Sequence, residues 1–320
     1  GYSPNVVIRS EGRRSGGSDI QIRGISAADP TDNSYDSPIA INVDGVYLGQ
    51  TAGSLLDNFD MERIEILRGP QGTLFGKNTI GGVVNIIRTR PTGEFGGKVK
   101  ATFGEDGRQE FRAVVNTSLS DNLAAKFFAT SIQSDGDLPN ITIGGNNGED
   151  DYTAFGATLL YTPNDRFEAL LTIERMDDQG TLKAFNQNFN VAPGVIPPPP
   201  PGPNQTDFSG GLLSCAIYPD SCRTSPNTLP YAENDTQHEA STETDAITLN
   251  MKLDLNENLS LTYILGHRDV SEDRIYDFDG SAAPFITIER WNEYDQTSHE
   301  LRLDGSYNNV EFTAGLYMFE

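Results

Sequence analysis

Apolar and polar residues alternate along many segments of the chain after Pro91. In residues 246–255, one side would carry Ile247, Leu249, Met251, Leu253 and Leu255. A period of two predicts strands with one apolar and one polar face. From this pattern we predict nine strands, at residues 96–104, 109–120, 123–135, 152–163, 167–179, 243–255, 259–271, 296–305 and 310–319.

The connections between these strands alternate in length. Those at 120–122, 163–166, 256–258 and 305–309 are short, those near 136–151, 180–242 and 272–295 are long, and 105–108 is a short exception. In an antiparallel meander this alternation puts the long loops at one end, as in outer-membrane barrels with apolar side chains outside and polar ones inside. A soluble β-sandwich also alternates, but it rarely carries a loop of about 60 residues between paired strands. The pattern favours a transmembrane barrel and keeps a soluble β protein as the alternative.

The charge of the chain is divided unevenly between two parts. The 320 residues carry a formal net charge of −23, with 9 basic and 10 acidic residues in 1–91 but 14 basic and 36 acidic residues in 92–320. Nucleic acid is not expected as a partner, because binding to phosphates needs clustered Lys and Arg. No stretch approaches the roughly 18 consecutive apolar residues of a membrane-spanning helix.

A glycine-rich stretch, RGPQGTLFGKNTIGGVVNI at residues 68–86, contains the pair Gly76-Lys77. A phosphate-binding loop would need glycine where Gln71 stands and a hydroxyl residue where Asn78 stands. The glycines are therefore interpreted as points of tight turning or close backbone approach. No nucleophile–base pair or metal-ligand cluster has suitable spacing either, so we do not expect an enzyme.

Two cysteines, Cys215 and Cys222, lie in a loop-like segment, SCAIYPDSC. A local disulfide in an oxidising compartment is the favoured interpretation, and two reduced thiols remain the alternative. A zinc site is not expected, because zinc takes about four Cys or His ligands and the chain has only three histidines. The acidic segments at 148–152 and 273–280 could bind Ca²⁺ through carboxylates, but they lack EF-hand spacing and are more simply solvated loops near lipopolysaccharide.

Four segments resemble the TonB-dependent outer-membrane receptors of the iron-complex or siderophore type. They are IRGIS at 22–26, IAINVDGVYLG at 39–49, MERIEILRGPQGTLFGKNTIGGVVNI at 61–86 and SHELRL at 298–303. The resemblance implies a mixed α/β plug domain over residues 1–91, without its N-terminal part. Residues 92–320 would then be the N-terminal portion of an all-β transmembrane barrel of about 22 antiparallel strands, whose lumen the plug fills. The long loops would be extracellular, and the protein would lie in the outer membrane of a Gram-negative bacterium.

The resemblance also implies a function. Such receptors actively transport a scarce ligand, here expected to be a ferric siderophore or other iron complex, and need no resident cofactor although the ligand can contain iron. The expected partners are the small-molecule ligand, outer-membrane lipid and lipopolysaccharide, and the TonB–ExbB–ExbD complex, which would act through an N-terminal box not seen in this chain. Uptake of a carbohydrate, cobalamin or haem, or a role mainly in binding and signalling, remains an alternative. A passive porin would not need a plug of about 90 residues with these motifs.

The resemblance finally implies contacts between plug arginines and barrel glutamates. Here these would be Arg23, Arg68 and Glu300, and alternation places Glu300 opposite Leu301, on the side facing the lumen. A planar guanidinium can pair with both oxygens of a carboxylate, which would suit either a gating contact or an ordinary structural ion pair. A separate set of residues is predicted to contact the ligand, namely Tyr35, Asp36, Tyr47 and Gln50. The alternative is that these are solvated turn residues.

Overall fold

The computed structural model describes residues 4–10, 18–27, 36–50, 58–182, 232, 234–278, 280, 284 and 286–320. Cys215, Cys222 and Tyr35 lie outside these residues, so the disulfide stays a prediction. No helix in the described part of the chain is both long and apolar enough to cross a membrane.

Two small sheets form the N-terminal part. Strands β1 (Val6–Ser10) and β2 (Ser18–Ile22) pair in an antiparallel arrangement, which we call the N-terminal hairpin. A four-stranded sheet, which we call the small sheet, follows, with strand order β4-β3-β6-β5. Its strands are β3 (Ile39–Val43), β4 (Val46–Leu48), β5 (Met61–Arg68) and β6 (Gly82–Arg88), and a short helix, α1 (Gly72–Phe75), connects β5 to β6.

The small sheet is mixed and carries its own core. Strands β3 and β6 are parallel, whereas β3–β4 and β5–β6 are antiparallel. The tight β3–β4 turn is made by Asp44 and Gly45, with φ of 49° and 88°. Positive φ at both positions is what a two-residue hairpin turn requires, and Asp-Gly is a preferred pair for it. One apolar core joins this sheet to the N-terminal hairpin through the buried residues Ile20, Ile22, Ile39, Ile41, Val43, Leu48, Val84 and Ile86.

A nine-stranded antiparallel sheet, which we call the wall, follows and confirms the nine predicted strands. Neighbouring wall strands are consecutive in the chain except where a two-residue pair, β10 (Leu138–Pro139) with β11 (Asn146–Asn147), interrupts the numbering. The wall strands are β7 (Gly96–Phe103), β8 (Gln109–Ser120), β9 (Leu123–Ser134), β12 (Asp150–Asn164), β13 (Phe167–Asp178), β14 (Glu239–Asn256), β15 (Leu259–Asp277), β16 (Thr287–Tyr307) and β17 (Val310–Phe319).

Three of the predicted loops are shorter than expected. The loop predicted over 272–295 is wrong in extent, because β15 continues to Asp277 and β16 begins at Thr287 with unbroken pairing between them. Likewise, β14 already begins at Glu239 and β12 at Asp150, inside the loops predicted over 180–242 and 136–151. In these extensions both faces carry many polar residues, so hydrophobic alternation could not reveal them.

The two faces of the wall differ. Over residues 240–248 of β14 and 266–274 of β15, even-numbered residues are buried and odd-numbered residues are half-buried or exposed, as shown by Arg268 and Val270 against Asp269. The exposed face also carries large apolar side chains, including Ile173 and Ile247. This is the apolar-out arrangement of a membrane barrel. The small sheet lies against the other face.

Candidate functional site

The contact between the small sheet and the wall contains a buried charge network centred on Arg88. Arg88 ends β6, and its side chain is only 7% exposed. Its Nε donates to Asp44 Oδ2 at 2.5 Å, and its Nη1 donates to Glu174 Oε2 at 2.7 Å. Asp44 belongs to the β3–β4 turn and Glu174 to wall strand β13, so Arg88 joins the two layers.

The carboxylates keep Arg88 charged despite its burial. Burial alone would lower the pKa of Arg88, but the charges of Glu174 and Asp44 together raise that pKa above its ordinary value. A buried ion pair costs desolvation, and losing one partner leaves a buried charge without compensation. The network therefore resists separation of the small sheet from the wall.

A cavity of about 60 Å³ borders this network. Arg88, Glu174 and the buried Arg268 line it, together with Tyr152 and Thr244. Apolar packing between the two layers is thus incomplete here. Polar contacts therefore supply part of the attachment between the small sheet and the wall.

A second buried contact involves Lys126 of β9, whose side chain is 1% exposed. Its Nζ donates to Asp60 Oδ2 at 2.6 Å and also to the backbone oxygen of Thr89. Thr89 Oγ1 donates to the other oxygen of Asp60 at 2.5 Å. Asp60 precedes β5 and Thr89 follows β6, so one wall lysine binds both of these ends of the small sheet.

A third contact is made by Gln296 of β16, which is fully buried. Its Nε2 donates to the backbone oxygen of Tyr47 at 2.5 Å, and its Oε1 accepts from the backbone N–H of Gly49 at 2.9 Å. One amide therefore satisfies a donor and an acceptor at the end of β4. Nearby, Asn250 Nδ2 donates to the backbone oxygen of Asp44 at 3.2 Å.

The three residues predicted to form arginine–glutamate contacts have other partners in the structure. Glu300 is on the same face of β16 as Gln296, as alternation predicted, and its ion-pair partner among the described residues is Arg302, at 3.4 Å. Arg68 is exposed and its Nη1 donates to the backbone oxygen of Pro4 at 3.2 Å. Arg23 has a φ of 53°, and its backbone N–H donates to Asn5. The structure does not bring either arginine to Glu300, and their gating role stays a prediction.

Of the predicted ligand contacts, Tyr47 is the most constrained. It is 8% exposed, accepts a hydrogen bond from Asn78 at 2.8 Å, and packs on Phe319 with ring centroids 5.7 Å apart. Lys77 Nζ lies 4.3 Å from the centre of the Phe319 ring and 3.9 Å from Asp36 Oδ2. Asp36 is exposed.

Gln50 is half-buried, just after β4. Among the described members of this set, Asp36 and Tyr47 both lie near Lys77, whose Nζ is 5.6 Å from the centre of the Tyr47 ring. The role of all four residues in ligand binding stays a prediction.

The residues that join the two layers were missed by sequence reasoning. Arg88 and Lys126 stand at polar positions of strands, where a charged residue is unremarkable, and their partners are distant in sequence. The Asp-Gly turn was a readable signal, although not for the contact that Asp44 makes. Within the described residues, no group of three or more His, Cys, Asp or Glu side chains is placed to hold a metal ion. Much of the acidic segment 273–280 lies in β15 rather than in a loop.

Comparison with known proteins agrees with this architecture. Residues 1–83 match the TonB-dependent Receptor Plug Domain family. The vitamin B12 transporter BtuB of Vibrio vulnificus (strain CMCP6) is 23% identical over 225 residues, which cover 67% of this chain and 34% of that protein. The pesticin receptor of Yersinia pestis is 35% identical over 101 residues, covering 32% of this chain and 14% of that receptor.

A solved structure extends the similarity to nearly the whole chain. The crystal structure of the ferric yersiniabactin uptake receptor FyuA from Yersinia pestis superposes with a TM-score of 0.75 at 20% identity. The match covers 99% of this chain and 44% of that chain. This chain therefore spans less than half the length of each of these three proteins.

Proposed function

We propose that this chain is part of a TonB-dependent outer-membrane receptor, with the plug domain and the first part of the barrel, and that the complete receptor actively imports a scarce ligand. The observation that carries the proposal is the small sheet held on the inner face of the wall by Arg88, Lys126 and Gln296. A porin needs no such domain in its lumen. Because the plug is joined to the wall by separate polar contacts, energy supplied through the TonB complex can displace part of it.

We propose a ferric siderophore as the ligand. The similarity to the ferric yersiniabactin uptake receptor over 99% of this chain supports a ferric complex. Fold does not name a cargo, so the ligand has to be measured. Cobalamin is the second candidate, because the match to a vitamin B12 transporter covers 67% of the chain.

The test is uptake by cells that carry the complete receptor in the outer membrane. We expect accumulation of radiolabelled iron from at least one member of a panel of ferric siderophores, and loss of that accumulation when a protonophore removes the proton motive force. A strain without the receptor is the control. Energy-dependent uptake of labelled cobalamin alone would replace the ligand assignment, and uptake insensitive to the protonophore would contradict active transport.

A further inference from the structure

A cluster of aromatic rings lies where the end of β4 meets the wall. The Tyr47 ring packs on Phe319 with ring centroids 5.7 Å apart. A Cβ built at Gly49 would overlap Tyr294 Oη and lie 3.2 Å from Phe319 Cζ, so glycine lets these two rings rest on the backbone. Tyr317 lies on the same face of β17 as Phe319 and is 54% exposed. We call Tyr47, Tyr294, Tyr317 and Phe319 the ring patch.

One cation lies over this patch. Lys77 Nζ is 4.3 Å from the centre of the Phe319 ring and 5.6 Å from the centre of the Tyr47 ring. The ion pair of Lys77 with Asp36 is long, at 3.9 Å, and the two side chains are 48% and 56% exposed. An exposed ion pair of this kind contributes little to stability. Lys77 can therefore exchange Asp36 for the negative charge of a ligand at little cost.

The ring patch lies toward the end of the wall that carries the longer loops. The hairpin turn before β4 contains Asp44, whose backbone oxygen accepts from Asn250. Asn250 is in register with Glu300 of β16 through the strand between them. Gly49, just after β4, is bonded instead to Gln296, which is farther than Glu300 from the short turn that follows β16. β4 therefore runs away from the short turns, toward the side from which an imported ligand would arrive.

We propose, resting on the transport function above, that Lys77 and the ring patch select an iron chelate that presents a negatively charged aryl group, such as a catecholate. The ammonium group attracts the charge of the chelate, and aromatic rings pair favourably in offset or edge-to-face arrangements. Tyr317 and the half-buried Phe319 supply accessible ring surface, while the buried Tyr47 supports Phe319. Lys77 is then a specificity-determining residue.

The Tyr47 phenol is compatible with an anionic ligand. Burial raises the pKa of this phenol, so it stays neutral at neutral pH and does not repel an anion. Asp36 has the opposite effect, because its carboxylate competes with the ligand for Lys77. The patch therefore has one attractive and one repulsive charge, and both can be tested.

Three ferric complexes separate the contribution of the ring from that of the charge. A tris-catecholate complex has aryl rings and negative charge, a citrate complex has negative charge without rings, and a tris-hydroxamate complex of aliphatic arms has neither. We would measure equilibrium binding of each complex, with radiolabelled iron, to the purified complete receptor. We expect the catecholate complex to bind roughly tenfold more tightly than the other two. Equal affinity for the citrate or the hydroxamate complex would overturn the proposal.

Variants of Lys77 test the cation directly. Lys77→Ala should weaken binding of the catecholate complex roughly tenfold, whereas Lys77→Arg keeps the cation and should stay within about threefold of the wild type. Lys98→Ala is the matched control, because Lys98 Nζ lies 4.5 Å from the centre of the Phe59 ring, outside the ring patch. It should leave the affinity for the catecholate complex unchanged. Wild-type affinity in Lys77→Ala would overturn the proposal.

Asp36→Asn gives a change of the opposite sign. It removes the carboxylate that competes for Lys77 and should strengthen binding of the catecholate complex by about two- to threefold. Since a misfolded receptor would bind less and not more, this gain cannot arise from damage to the fold. Weaker binding in Asp36→Asn would assign the contact to Asp36 and overturn the role of Lys77.

Uptake by cells separates this proposal from the transport function. Energy-dependent uptake of iron from the hydroxamate complex alone would overturn the role of the ring patch and leave active transport intact. If the purified receptor binds the catecholate complex as expected but cells show no energy-dependent uptake of it, the transport function is contradicted and the ring patch is not.

Discussion

Asp44 binds Arg88 through both of its carboxylate oxygens. Oδ1 accepts from the backbone N–H of Arg88 at 3.0 Å, and Oδ2 accepts from Nε at 2.5 Å. The two bonds fix the direction of the guanidinium, so that Nη1 points to Glu174 on the wall. A turn at one end of the small sheet thereby orients the residue that joins it to the barrel.

Glu174→Ala should destabilise the seating of the plug by about 3–5 kcal/mol, because it leaves the buried Arg88 with only one carboxylate. Glu168→Ala removes the exposed partner of Arg90 on the same strand and should cost less than about 1 kcal/mol. The measurement is the urea concentration at which a cysteine at Val83 becomes reactive in the purified receptor. Equal midpoints for the two variants would show that burial does not strengthen the Arg88 contact.

Gln296→Leu should weaken the attachment of β4 to the wall, because the buried backbone N–H of Gly49 and the backbone oxygen of Tyr47 lose their hydrogen-bond partner. Each unsatisfied buried group costs about 1–3 kcal/mol. Hydrogen exchange of the Gly49 amide should accelerate clearly, while the amide of Val84, which lies in the interior of β6, stays protected. Unchanged protection at Gly49 would mean that another group replaces the glutamine.

The strands of the wall could be predicted because, over much of their length, their two faces lie in different environments. Residues such as Ile247 and Leu249 meet the apolar exterior, whereas Thr248 faces the polar interior, and this contrast gives a period of two. The C-terminal end of β15 lacks this contrast between an apolar and a polar face, since Glu272 and Arg274 are buried on one face and Asp273 is exposed on the other. Hydrophobicity alone therefore ended that strand too early.

The contacts between the plug and the wall could not be predicted from the sequence, for a different reason. Arg88 and Glu174 are separated by 86 positions, and the sequence gives no reason to choose Glu174 over the other glutamates of the wall as the partner of Arg88. The resemblance pointed to Arg68 and Glu300, which the structure places with Pro4 and Arg302 instead. Choosing a partner needs the position of the small sheet in the lumen, and that follows from packing.

Tyr47 should titrate above the ordinary pKa of 10.0. Burial raises the pKa of its phenol, whereas the hydrogen bond donated by Asn78 lowers it. Asn78→Ala should therefore raise the pKa of Tyr47 further. Since the raised pKa favours the neutral phenol in the folded state, this contribution to stability is present below pH of about 10 and is lost as the pH rises through the folded pKa. The ultraviolet difference titration against Tyr47→Phe measures it, and a lower pKa in the Asn78→Ala variant would contradict the assignment.

Gly266→Ala should push the small sheet away from the wall. A Cβ built at Gly266 lies 2.4 and 2.8 Å from the two methyl carbons of Val46, which is itself buried. Overpacking of this kind costs about 1–3 kcal/mol, seen as a lower urea midpoint for exposure of the cysteine at Val83. Gly96→Ala is the control, because nothing lies within 4 Å of a Cβ at that position. If the loss comes from this one contact, Val46→Ala should suppress it in the double variant, since residues in contact do not have additive effects. Additive losses in the double variant would place the origin of the effect in the wall strand and not in the seating of the plug.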